Sequence, residues 1–370
     1  MENNPFAERR ARVAAALAAR KLDALLVAFS PNLRYLSGFT GSNASLLILP
    51  GQSILFTDPR YQIQAAQECT SEECTSEESS CKVRIVKGPL VLDVLATLQK
   101  LGALRTGYEP ARMTCDFYDA LKSRLPLRAS LEPVHGWIEE LRTIKSEAEI
   151  ALIRQSVATN SRAFEQTLRR VKAGMKESDL AAELEYRMRR LGAEKPAFET
   201  IVATGVRSAL PHAQPTHARL AAGDLVVIDM GAFENGYASD MTRMLSVGPP
   251  SAKVKRMYRA VLEAQLAGID AVRPGITAAR IDTVTRKVLK GYGLDKAFTH
   301  STGHGLGLEI HEPPRLGKRD LTRLQPGMAI TIEPGVYVEG FGGIRIEDTV
   351  LVTASGCEIL TPTPKDLFVV

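Results

Sequence analysis

Long apolar runs are missing from this chain. No stretch approaches the roughly 20 consecutive apolar residues that cross a bilayer, so a helical membrane protein is excluded. Dense basic runs are missing too. The 47 Lys and Arg against 42 Asp and Glu leave a net charge of +5 spread along the chain, and aromatics are only 6% of it. A nucleic-acid groove needs clustered cations with interleaved aromatics, so neither nucleic acid nor membrane is an expected partner. Cysteine is scarce and odd in number, five in 370 residues, which is no secreted disulfide framework. Three of the five, Cys69, Cys74 and Cys81, lie in ECTSEECTSEESSCK, where the unit ECTSE occurs twice in tandem. Without C-x-x-C pairs or a nearby histidine this segment reads as a solvated acidic insertion, not a soft-metal site. Cys115 and Cys357 stand alone and read as reduced packing residues. No G-x-S-x-G elbow occurs, and GHGLG lacks the Lys-Ser/Thr of a phosphate loop and the setting of a dinucleotide site. The N-terminal RRARVAAALAARK is too short and too interrupted by Arg12 for a signal peptide. It reads as an amphipathic helix, and a soluble, cytoplasmic protein is expected.

What is present is enough apolar residue, 45% of the chain, to bury sizeable cores, and a length that favours two domains. The first part alternates helix and strand. A helix is expected over 7–20, a buried strand over 23–29, and a polar turn at Ser30-Pro31-Asn32. A hairpin around Gly51, a strand near 83–86, and helices near 90–101 and 114–124 follow. This small α/β domain is expected to span 1–132, with Pro133 and Gly136 marking a boundary, and a second domain to span 133–370. The second opens on a long amphipathic helix from Ile144 to Val171 and a helix over 177–191, with a further helical pair at 251–271 and 277–290 among glycine-rich strands. The fold class is therefore α+β.

The second domain contains an internal repeat. LAAGDLVVIDMG from Leu220 aligns without a gap on LQPGMAITIEPG from Leu324, matching Gly223 to Gly327, Gly231 to Gly335 and Asp229 to Glu333. Each strand is followed by another acid, Asp240 in ASDMTRML and Glu347 in RIEDTVLV, with Thr242 meeting Thr349. VKAGM at 171–175 matches VRPGI at 272–276. Two halves related by an approximate two-fold thus each supply two carboxylates.

Asp229 ends the apolar run LVVID, where an unpaired carboxylate is costly to desolvate. Local salt bridges, Asp240 with Arg243 and Glu347 with Arg345, account for each acid singly. They do not account for the pairwise repetition. Four carboxylates gathered by a two-fold repel unless neutralised, and two divalent cations balance them. One nitrogen ligand is offered by THSTGHGLGLEIHEPP, which holds His300, His304 and His311, half of the six histidines. There Gly303, Gly305 and Gly307 let backbone approach a ligand. Oxygen ligands with one imidazole suit manganese, cobalt or zinc, and two such metals activate a bridging water for amide hydrolysis.

These residues resemble the pita-bread metallopeptidases, the family of aminopeptidase P, prolidase, methionine aminopeptidase and creatinase. The matching segments are PHAQPT, VVIDMGAFENGYASDMTR, STGHGLGLEIHEPP, TIEPGVY and GGIRIEDTV, in order. The resemblance implies a pita-bread C-terminal domain and two divalent metals, manganese foremost. It implies Asp229, Asp240, His304, Glu333 and Glu347 as ligands, with Asp240 and Glu347 bridging. It gives His212, His300 and His311 the handling of substrate and of the tetrahedral intermediate, Arg345 the support of Glu347, and Glu333 a proton shuttle. His135 and His217 match no motif position and read as structural or surface. DALLVAFSPNLRYLSGFTGSNASLLI and ILFTDPRYQIQAAQE resemble the family's N-terminal domain, which methionine aminopeptidases generally lack. Creatinase keeps the fold without the ligands. The implied activity is hydrolysis of the bond between an N-terminal residue and proline, by an aminopeptidase or dipeptidase acting on peptides with proline second, in a homodimer. A metal-free binding module of the same fold and a methionine aminopeptidase-like enzyme are the alternatives.

Overall fold

A computed structural model describes residues 4–69 and 81–370, so the ECTSE repeat, its reading as a solvated insertion, and Cys74 fall outside the described residues. The chain divides into two compact units, Met1–Glu140 and Leu141–Val370.

The N-terminal unit carries a mixed six-stranded sheet in the order Cys81–Ile85, Gln52–Thr57, Ala44–Leu49, Ala24–Val27, Arg105–Tyr108, Ser130–Pro133. Its first helix, Pro5–Leu17, starts earlier than the periodicity indicates. The Asn4 side chain accepts the amides of Phe6 and Ala7, and Pro5 has no amide to satisfy. The chain leaves that helix through a 3-10 turn and Lys21 at φ 55°. The hairpin around Gly51 forms as expected, with Leu49 facing Gln52. The turn expected at Ser30-Pro31-Asn32 is instead the start of a helix, Ser30–Ser37. Proline in a first turn costs no hydrogen bond, and the buried Leu33, Tyr35 and Leu36 draw the segment into helix. Strands Arg105–Tyr108 and Ser130–Pro133 lack a clear alternation, and parallel pairing onto Ala24–Val27 and its neighbour makes them. Cys115 opens the helix Cys115–Lys122 at the surface and is exposed, contrary to the packing role expected of it.

In the C-terminal unit the long helix runs Glu147–Leu168. Ser146 and Glu149 close a reciprocal capping box that sets its start three residues later than Ile144. The helices Glu177–Leu191, Ala252–Asp270 and Ala278–Gly291 follow. Two sheets carry the repeat, one built on Leu225–Met230 paired with Met241–Ser246, the other on Ala329–Ile332 paired with Asp348–Val352. The equivalence extends to backbone detail. Gly223 and Gly327 precede the two central strands at φ 89° and 88°, and Gly174 and Gly275 precede the two helices at 84° and 83°. Arg219 donates to the Gly174 carbonyl at 2.7 Å and Arg323 to the Gly275 carbonyl at 2.8 Å. The halves are not identical, because Asp229 faces Thr242 whereas Thr349 faces Thr331 and not Glu333.

Both faces of Leu225–Met230 are buried. Val226, Ile228 and Met230 pack with Phe164, Leu180 and Leu184, while Leu225 and Val227 pack with Met257, Val261 and Ile344. A strand buried on both sides reads as a continuous apolar run, as this one does. Asp229 follows Leu225 and Val227 on the second face and marks where that core ends.

Candidate metal centre

Five residues separated by up to 118 positions line one cleft of about 850 Å3: Asp229, Asp240, His304, Glu333 and Glu347. Each sits at a strand or its edge. Asp229 lies within Leu225–Met230, Asp240 just before Met241–Ser246, His304 in the short strand His304–Gly305, Glu333 just after Ala329–Ile332, and Glu347 just before Asp348–Val352. Donor atoms of Asp240, His304 and Glu347 all lie within 4.8 Å of one another. The His304 Nε2 is 3.5 Å from both Asp240 and Glu333.

The local salt bridges that could account for the acids singly do not form. Arg243 is fully buried and pairs with Asp348 at 2.8 Å, while also donating to the backbone carbonyls of Glu347 and Thr363. Arg345 pairs with Asp229 at 2.5 Å. It reaches Glu347 through Thr242, whose hydroxyl accepts from the Arg345 Nε at 3.0 Å and donates to Glu347 at 2.7 Å. Thr349, the repeat-mate of Thr242, donates to the Asp240 carbonyl at 3.0 Å. Each threonine therefore crosses from its own half to the other, Thr242 to a carboxylate and Thr349 to the backbone of an acidic residue.

One carboxylate oxygen each of Asp229, Asp240 and Glu347 is buried without a hydrogen-bond donor. Desolvated acceptors without donors are costly. Burial first, then the neighbouring acids, push Asp240 and Glu347 well above the ordinary carboxylate range. Burial likewise drives Glu333 up to about 8 against the pull of Arg345. Meanwhile burial, then His311, draws His304 down to about 4, which leaves a neutral imidazole. Its Nδ1 donates to the Gly305 carbonyl at 3.0 Å, so the Nε2 lone pair points at the acids. Orphaned hard oxygens beside one neutral imidazole form a donor set that fits a divalent cation.

The three glycines of the histidine segment serve packing, not a ligand. A Cβ at Gly303 would stand 1.9 Å from the Thr331 carbonyl oxygen, and one at Gly305 2.2 Å from that of Pro313. A Cβ at Gly307 would meet Glu312 at 2.9 Å. Neighbouring backbone and a buried carboxylate fill the space expected for a ligand.

His212, His300, His311 and Arg345 line the same cleft. His311 stacks edge-on against His304, ring centroids 4.4 Å apart. Both nitrogens of His300 are engaged, one with the Ser301 carbonyl at 2.8 Å and one with the Tyr337 hydroxyl at 2.9 Å. Burial holds its pKa down near 3. Tyr337 in turn accepts from Arg345 at 2.7 Å, so Arg345, Tyr337 and His300 form one chain of contacts. His135 and His217 are exposed and outside the cleft lining. Sequence reasoning gave no role to Tyr337, Thr242 or Arg315. Tyr337 sits inside the matched segment TIEPGVY, and Thr242 is flagged by its repeat-mate. Arg315 lies one residue past HEPP, and only the cleft reveals it.

A two-unit metal-dependent peptidase is what this fold and donor set describe. The chain belongs to metallopeptidase family M24, whose model matches residues 151–354, and residues 9–144 match the creatinase/prolidase N-terminal domain. It is 38% identical to an Xaa-Pro dipeptidase of Pyrococcus horikoshii over 94% of each chain. Among solved structures, an Xaa-Pro dipeptidase from Bacillus anthracis superposes with a TM-score of 0.93 at 37% identity, covering 99% of this chain and 100% of that one. An X-Pro aminopeptidase from Thermotoga maritima superposes with a TM-score of 0.88 at 36% identity, covering 98% and 99%. Family membership carries the use of a divalent metal and action on peptides. No helix among the described residues is long and apolar enough to cross a membrane.

Proposed function

We propose that the C-terminal unit hydrolyses the bond between an N-terminal residue and proline, with two divalent cations held by Asp229, Asp240, His304, Glu333 and Glu347. The observation that carries this reading is the convergence of those five donors on one cleft, three of them with a buried orphan oxygen. Manganese is the metal we favour, with cobalt or zinc as substitutes. Such cations, when bound, polarise a carbonyl and acidify water.

The chain's own residues do the rest. Glu333 has a side chain 15% exposed, against 12% for Asp229 and 6% for Asp240, and faces the cleft most openly. It is placed to take a proton from water and return it to the proline nitrogen. His212 and His311 stand at the cleft to donate to the oxygen that gains charge. His300, with both nitrogens committed, holds Tyr337 and Arg345 in place. Phe198, Ile201, Pro211 and Ile310 offer an apolar wall to a proline ring. At the far end, Arg315 is exposed, and its Nε donates to Ser301 at 3.3 Å. Its guanidinium fits the carboxylate of a dipeptide. That favours dipeptides, as do the names of two of the three relatives given above. The same reading takes the protein as a cytoplasmic homodimer, in line with the resemblance.

Exhaustive chelation is expected to abolish proline release from Xaa-Pro dipeptides, and manganese or cobalt to restore it. Activity that survives chelation, or a purified protein that neither binds divalent metal nor releases proline, overturns the proposal in favour of a binding module.

A further inference from the structure

Beside the metal cleft lies a second, shallower cavity of about 530 Å3, and the two share His300, Ser301, Arg315 and Asp320 as walls. The two adjoin at these residues. Their charge differs, with the four carboxylates of the metal centre in the first and the cationic Arg286, Arg315, Lys318 and Arg319 lining the second. Arg286 is already spoken for, since it pairs with Asp282 at 2.7 Å and donates to the Phe298 carbonyl at 2.8 Å. The single acid of this cavity, Asp320, accepts the backbone amides of Arg315 and Thr322, at 2.9 and 2.8 Å. Lys318 and Arg319 are exposed and have no ion-pair partner among the described residues. Their base is nonetheless fixed. Leu316 is buried, its amide donates to the Gly303 carbonyl and its carbonyl accepts from Thr302, both at 2.8 Å, one residue from His304.

A peptide bound at the metal centre with its carboxyl end toward Arg315 has that end drawn on to the cations of the second cavity. We infer that Lys318 and Arg319 form a subsite for the residue after proline, one that selects an acidic side chain there, so that the enzyme also trims Xaa-Pro-Asp and Xaa-Pro-Glu peptides. This rests on the proposed Xaa-Pro activity and extends it from dipeptides to acidic tripeptides.

The test compares kcat/KM of the metal-loaded full chain on an Xaa-Pro dipeptide, Xaa-Pro-Asp and Xaa-Pro-Lys, with Lys318→Ala/Arg319→Ala and Lys318→Glu/Arg319→Glu variants whose fold is checked by circular dichroism. Two exposed cations give an expected Asp-over-Lys preference of roughly three- to tenfold in the wild type. The preference is expected to vanish in the alanine variant, invert in the glutamate variant, and shrink in high salt. An enzyme that cleaves the dipeptide yet rejects both tripeptides overturns the inference, as does an equal rate on both or a preference that persists in the variants. Failure on the dipeptide itself strikes the proposed function instead.

Discussion

Thr242 is one of the residues through which one half of the centre is tied to the other. Its hydroxyl is held by Arg345 and gives its proton to Glu347, so it fixes which Glu347 oxygen stays free. Partners that orient ligands in this way are typically worth about 10- to 100-fold in metal affinity or activity. Thr242→Val is expected to weaken metal binding by about that factor in a calorimetric titration, and Thr242→Ser to recover most of it. A valine variant that binds metal as the wild type does removes the role assigned to Thr242. The acids themselves were legible in the sequence because a carboxylate that ends an apolar run, and does so twice at a fixed offset, is costly unless a cation meets it. The positions of Thr242 and Tyr337 were marked by the repeat and a matched segment, but their roles, and Arg315 altogether, were not legible, because hydroxyl relays and cleft rims follow from tertiary approach.

At the level of elements, the short strand bearing His304 is set by how closely two backbones meet. Replacing Gly303 with alanine places a methyl 1.9 Å from a carbonyl oxygen that belongs to a paired central strand, which cannot yield cheaply. Gly303→Ala is expected to cost about 3 kcal/mol or more in urea unfolding. Gly223→Ala meets open space and bears only the strain of φ 89°, about 1 kcal/mol. Equal losses at the two positions count against this account. The repeat allowed the central strands and the long helices to be read from sequence, since apolar period and caps agree there. It could not reveal that Ser30–Ser37 is a helix, because proline is as common in turns as in first turns. Nor could it reveal the strands Arg105–Tyr108 and Ser130–Pro133, which exist through parallel pairing with distant partners.

For the whole molecule, gathering the acids makes stability depend on pH in opposite senses with and without metal. In the chelated protein Glu333, raised to about 8, contributes stability that is complete below about 4.5 and lost as pH rises through 8, and Asp240 and Glu347 act in the same direction. His300 and His304, lowered to about 3 and 4, contribute fully above 6.5 and so leave that upper window unopposed. Between pH 6.5 and 8 the thermal midpoint of the chelated protein is therefore expected to fall. In the metal-loaded protein it holds or rises, because cations bind the deprotonated ligands. Parallel slopes in the two forms contradict four acids confronting one another. The threonine crossings carry a last consequence for how the protein is made. Ribosomes deliver Asp229 and Asp240 long before Glu347, and each half leans on a hydroxyl of the other, Glu347 at its carboxylate and Asp240 at its backbone carbonyl. An unfinished chain holds half a cage, so the ability to cut peptides arrives only after synthesis has passed the second half.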